Sequence, residues 1–130
     1  MTRQFLRPER ALPPRFGRFV GNAEFYGTAL HELGHWTGHP SRLSRPLGGC
    51  FGSADYAREE LRAEIASWMI SRETGIPHNP GNHAAYIKSW IKAIKNDYRE
   101  LRMACRDAEA IVGYLLNKVE IARDVHNTAA

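Results

Sequence analysis

Cysteine is nearly absent from this chain. Cys50 and Cys105 are the only two in 130 residues, and neither sits in a Cys-x-x-Cys pair. Two distant cysteines make no disulfide framework, so a reducing cytoplasm is the expected compartment and both thiols read as buried and inert. Long apolar runs are missing too. None approaches the ~20 residues of a membrane span, so no membrane partner is expected. The first residues, MTRQFLRPER, are basic but have no apolar segment behind them, which does not fit a secretory signal. No internal repeat or low-complexity segment occurs. What remains is ordinary globular material, 43% apolar and 25% charged, of a length that suits one domain.

An excess of acid is also lacking. The net charge is +4, and all of it belongs to residues 1–20, where Arg3, Arg7, Arg10, Arg15 and Arg18 face only Glu9. Beyond them the charges balance. Residues 1–21 therefore read as a basic N-terminal arm, either a solvated tail or a segment that contacts nucleic acid through phosphates.

Turn residues divide the rest. Pro8, Pro13 and Pro14 keep the arm irregular, and RFGRFV, Arg15 to Val20, could form one short strand. A first helix is expected from Asn22 or Ala23 to Thr37, stopped by Gly38 and Pro40. PSRLSRPLGGCFGS reads as a loop. A second helix should follow Ser53 as N-cap and end at Gly75. A third, from about His83 to Lys95, places Tyr86, Ile87, Trp90, Ile91 and Ile94 on one face and lysines on the other. Asp97 and Glu100 form a capping pair. A last helix then carries an apolar stripe from Leu101 to about Val119, followed by a C-terminal tail over 119–130 that is expected to fray after Arg123. The expected fold is mainly α, about four helices over residues 22–118 with little or no sheet.

The chemistry concentrates in TALHELGHWTGHP, Thr28 to Pro40. In His31-Glu32-Leu33-Gly34-His35, the two histidines fall one helical turn apart and point the same way. Both imidazoles can reach one zinc ion, and Glu32 can reach a water on its open side. A third protein ligand is needed, and two candidates compete. His39 would suit a three-histidine site, but the longer histidine pattern wants its histidine where Ser41 stands. The other candidate is a glutamate of YAREELRAEIAS. On a helical wheel Leu61, Ile65 and Trp68 cluster, Glu60 and Glu64 lie one turn apart on the flank of that cluster, and Glu59 points away. A carboxylate beside a buried face is costly unless paired or bound to metal. Glu60 is therefore the expected ligand. Glu64 is expected to hold the other nitrogen of a liganding histidine. Glu59 is expected to be a solvated charge near Arg58 and Arg62.

YGTALHELGHWTGHPSRLSR, FGSADYAREELRAEIAS and HAAYIKSWIKAIKND, in that order, resemble the zincin-type metallopeptidase domain of the ArdC antirestriction proteins. Related domains occur in TraC-type plasmid primases and in polyvalent proteins of phages and conjugative elements. The resemblance covers about residues 22–118. It implies zinc held by His31, His35 and a glutamate of EELRAE. It implies a hydrolase in which Glu32 activates a zinc-bound water, and a peptide or protein substrate. Glu60 with Glu64 also matches the Glu-x-x-x-Asp spacing of glutamate zincins, with Glu in place of Asp. ArdC-like proteins carry a single-stranded-DNA-binding domain ahead of the peptidase, and zincins place a small sheet ahead of the metal helix. About 20 residues precede that helix here, which supports the metal site more than proteolysis.

A rival reading is a catalytically silent, zinc-stabilised module that binds nucleic acid or a host-defence protein through the arm. The basic charge argues against acidic imitation of DNA. Tyr26, Tyr56 and Tyr86 are each candidates to donate to an oxyanion or to pack in the core. His83 is either a helix-starting residue or a catalytic one. Arg42 and Arg45 either line a substrate path or sit in a solvated loop. Trp36, Trp68 and Trp90 read as core.

Overall fold

The structure, a computed structural model, describes residues 22–129. The basic arm and the strand expected at Arg15 to Val20 lie outside those residues. Four helices follow in order: α1 (Asn22–Trp36), α2 (Ala54–Thr74), α3 (Pro80–Ala93) and α4 (Tyr98–Ala129). No strand occurs among the described residues, and none of their helices is long and apolar enough to cross a membrane.

Local chemistry accounts for most boundaries. The Ser53 side chain accepts the Tyr56 N–H at the start of α2, and Gly75, at φ 73°, closes it in the left-handed conformation that glycine adopts without strain. Helix α3 begins earlier than expected. Asn79 caps it and Pro80 occupies its first turn, where the missing N–H costs nothing and the ring fixes a helical φ. The pair at Asp97 and Glu100 forms by half. The Asp97 carboxylate accepts the Arg99 N–H at 2.9 Å, while Glu100 accepts from Arg58 Nε instead. Helix α4 passes Val119 and runs through the stretch expected to fray, because nothing between Tyr114 and Ala129 breaks a helix. Its last turns are exposed.

Helix α2 is the centre of the domain and packs against each of the other three. Its Leu61, Ile65 and Ile70 meet Leu30 of α1, Ile94 after α3, and Ala104, Ala108, Ile111 and Val112 of α4. Apolar burial of this kind supplies about 25 cal/mol per Å². The three tryptophans sit at the margin of this core, half-buried, rather than inside it. Cys50, expected to be buried, is exposed, because it lies in the loop between α1 and α2 where no helix face covers it. Cys105 is half-buried, and burial raises its thiol pKa.

Small residues bring α1 and α2 close. A Cβ added at Gly34 would lie 3.2 Å from the Ala63 Cα and 3.3 Å from its Cβ. Gly34→Val is therefore expected to force the helices apart and to destabilise the fold by about 1–3 kcal/mol. Urea unfolding of the metal-free chain measures this, and an unchanged midpoint would contradict it.

Candidate metal centre

The close approach at Gly34 sets two carboxylate-bearing turns of α2 against the two histidines of α1. The Nε2 atoms of His31 and His35 lie 3.0 Å apart. Glu60 spans them, with Oε2 3.0 Å from His31 Nε2 and Oε1 3.0 Å from His35 Nε2. One donor atom from each of the three lies within 4.8 Å of the others.

The outer edges of the imidazoles fix how they are used. His31 Nδ1–H donates to Glu64 Oε2 at 2.8 Å, and His35 Nδ1–H donates to Glu59 Oε2 at 2.9 Å. With Nδ1 carrying the proton, a neutral ring turns the lone pair of Nε2 inward. Two inward lone pairs and a carboxylate repel one another unless a proton or a cation sits among them. Atoms bound at about 2.0–2.1 Å to a tetrahedral ion stand ~3.3 Å apart, so the observed spacing fits a shared divalent ion with only a slight opening.

Protons take that role in the metal-free chain. Burial disfavours the His31 imidazolium, but the Glu60 and Glu64 carboxylates outweigh it and hold its pKa up at about 10. Burial likewise disfavours the Glu60 carboxylate, and His31 and His35 overcome this to bring it down to about 2. The His35 pKa is raised against burial by Glu59 and Glu60. Glu32, half-buried and next to the first histidine, is raised by burial, with the two histidines opposing.

Glu59 is not the solvated charge that the wheel suggested. It is 7% exposed and lies between His35 and Arg45. The Arg45 guanidinium grips it with two bonds, Nε to Oε1 at 2.8 Å and Nη2 to Oε2 at 3.0 Å. Arg45 also donates to the Gly34 carbonyl and to Thr37 Oγ1, so it ties the C-terminal end of α1 to α2. Of the expected neighbours of Glu59, Arg62 lies 3.7 Å away while Arg58 turns to Asp55 and Glu100. The wheel failed because α2 has no single buried face. Partners that orient a liganding histidine typically matter 10–100-fold to metal affinity. Arg45→Met is expected to weaken divalent-metal binding at this centre by about that factor, read by competition with a chelating dye. Arg45→Lys should recover little of it, because an ammonium cannot make the paired contact.

His83 also reaches the centre. It is buried, its Nδ1–H donates to Glu64 Oε1 at 2.7 Å, and its ring stacks on Trp68. One carboxylate thus holds His31 and His83 together. The Tyr56 hydroxyl faces Glu60; burial, then the Glu60 and Glu32 charges, raise its pKa. Tyr86 lines an open cleft of about 430 Å³ beside His31. His39 is elsewhere, bonded to Ser41 in the turn after α1. Arg42 lies over the Trp36 ring at 3.9 Å.

Known proteins resemble this chain in sequence, and one of them in fold. Residues 8–107 match the zincin-like metallopeptidase family. A DNA primase TraC of Escherichia coli is 55% identical over 117 residues, which is 88% of this chain and 11% of that protein. An uncharacterized protein of Sinorhizobium fredii, y4eC, is 38% identical over 103 residues, 78% of this chain and 34% of its own length. The crystal structure of the antirestriction protein ArdC from the R388 plasmid, in its Mn(II)-bound form, superposes with a TM-score of 0.64 at 37% identity. That match covers 82% of this chain and 39% of ArdC. The chain thus spans a small part of each of these relatives, and the part it spans belongs to the zincin-like metallopeptidase family, of the ArdC type.

Proposed function

We propose that this chain is a zinc-dependent peptidase domain of a mobile-element protein, with His31, His35 and Glu60 as ligands and Glu32 as general base. The observation that carries the reading is the convergence of two imidazole Nε2 atoms and one carboxylate within a 3.0 Å spacing, each ring braced from behind by a glutamate. Two nitrogens and one oxygen suit zinc and leave a position open for substrate. Manganese favours oxygen-rich sites, yet the Mn(II) of the ArdC structure makes it the first alternative. Similarity to an antirestriction protein of a plasmid and to a primase supports the mobile-element setting.

A divalent ion here supplies Lewis acidity toward a carbonyl oxygen and a water. The rest falls to side chains. Glu59 and Glu64 keep the rings in the tautomer whose Nε2 can ligate. Glu32 takes a proton from the attacking water and delivers it to the leaving amine. Tyr56 is placed beside Glu60 and Glu32 to donate to the oxyanion.

Elemental mass spectrometry of the purified chain, without added metal, tests the ligand set. About one zinc per chain is expected, and none in a chain carrying His35→Ala. A folded chain that holds no divalent metal and takes up none would overturn the proposal.

A further inference from the structure

The cleft beside the centre has a direction. Helix α1 runs antiparallel to α2, since Gly27 meets Ser67 while His35 meets Glu59. Helix α3 does the same on the other side, since His83 meets Trp68 while Trp90 meets Tyr56. The cleft lies between α1 and α3 with Glu60 and Glu64 as its floor. One end is therefore bordered by Glu24 and Thr28 of α1 and by Asn79 and Asn82 of α3. The centre lies midway. Tyr86 and Trp90 border the other end, where Trp90 meets Tyr56 edge-on at 5.7 Å and Tyr56 in turn meets Phe51.

Away from the centre itself, the one formal charge among the described residues of this path is negative. Among the described residues, no lysine or arginine lines the cleft. Glu60 and Glu64 are engaged by histidines, but Glu24 is exposed and has no ion-pair partner among the described residues. Away from the centre, a phosphodiester strand laid here would meet the Glu24 carboxylate where nucleic-acid sites present cations. An extended polypeptide meets what it needs. From Asn79 to Trp90, α3 spans about 16 Å at 1.5 Å per residue, the length of about five extended residues. No strand among the described residues offers an edge, so backbone groups fall to the side chains of Thr28 and Asn82, which both donate and accept, and to the amide nitrogen of Asn79, whose oxygen caps α3. Gly27 keeps the α1 wall low, with open space where a Cβ would stand. At the far end Phe51 and Tyr86 are 80% and 58% exposed, aromatic area available to an apolar side chain.

We infer that this groove takes an extended segment of polypeptide, not a nucleic-acid strand, with a lysine or arginine side chain at the Glu24 end and an apolar or aromatic one at the Trp90 end. Glu24 sets the charge preference. The inference rests on the peptidase reading for its setting, but binding can be measured without turnover.

The zinc-loaded Glu32→Gln chain would be incubated with a degenerate decapeptide pool and the retained peptides sequenced by mass spectrometry. Enrichment of lysine or arginine by about fivefold is expected, the effect of one favourable exposed charge pair. An apolar residue should recur a few positions away. Glu24→Gln should remove the basic preference, and Glu24→Lys should turn it toward aspartate and glutamate. A ten-residue oligothymidylate should not displace the bound peptides. Unchanged enrichment in Glu24→Lys, no enrichment at all, or displacement by the oligonucleotide would overturn the assignment. The retained peptides are then given to the zinc-loaded parent chain. Binding without cleavage would sink the peptidase reading and leave the groove standing. Cleavage with no basic preference would do the reverse.

Discussion

The Glu32→Gln chain is expected to hold its zinc and to cleave peptides on the order of 10²–10⁴-fold more slowly than the parent, the usual contribution of one general base. The two side chains have the same shape, so packing between α1 and α2 is undisturbed. The His31 and His35 rings are held from behind by Glu64 and Glu59, which the substitution leaves in place. Glutamine cannot accept the proton, and this alone is removed. Glu32→Asp keeps the charge but retracts the carboxylate by about one bond length. A displacement near 1 Å can itself cost about 10²-fold, so the aspartate variant should fall between parent and glutamine. Initial rates on a peptide that the parent cleaves, with zinc content measured on the same samples, decide the matter. Equal rates in parent and glutamine variant would mean that the centre serves structure rather than catalysis.

Much of the geometry of this cluster is legible in the sequence. The one-turn spacing of His31 and His35, and of Glu60 and Glu64, is a property of the helix itself, and Ser53 and Gly75 mark the ends of α2 in plain side-chain chemistry. The structure sets both histidines against Glu60, and His31 Nδ1–H donates to Glu64. Glu59 was misread for a reason that can be stated. A wheel divides a helix into one buried and one wet face, and α2 has neighbours on three sides. Its composition carried the warning: Ala57, Ala63, Ala66, Ser67 and Ser71 are small and buried beside Leu61, Ile65 and Ile70, which is the pattern of an enclosed helix. Arg45 left no such sign. It lies in a loop without periodicity, and only the fold brings it to Glu59. For His83 the sequence leaves a helix start and a catalytic role both open. The actual opening at Pro80 moves it into the first turn, where it faces Glu64.

Removing the metal should change the pH at which the fold is most stable. Without metal, His31 and Glu60 set opposite limits to the trend, and His35 acts in the same direction as His31. His31 has a pKa of about 10 in the fold against 6.5 ordinarily. The native state holds its proton more tightly, so that contribution is complete below pH 6.5 and fades as the pH climbs toward 10. Glu60 is at about 2 in the fold against 4.5 ordinarily. Its contribution is complete above pH 4.5 and fades as the pH falls toward 2. Both are present together only between about 4.5 and 6.5, and the chelated chain should melt highest there. A bound divalent ion reverses the demand on His31, which must give up its inward proton to ligate. Zinc should therefore stabilise most at neutral to mildly alkaline pH, release at least one proton on binding near pH 7.5, and lose its effect in acid. At a free-zinc concentration 100 times the dissociation constant, linkage gives ~2.7 kcal/mol, which for a domain of this size raises the melting temperature by ~10 °C. Thermal melts from pH 4 to 9, with zinc and with chelator, trace the two curves. If the chelated and loaded chains share one optimum, the proton and the metal are not competing for His31, and the ligand assignment fails with them.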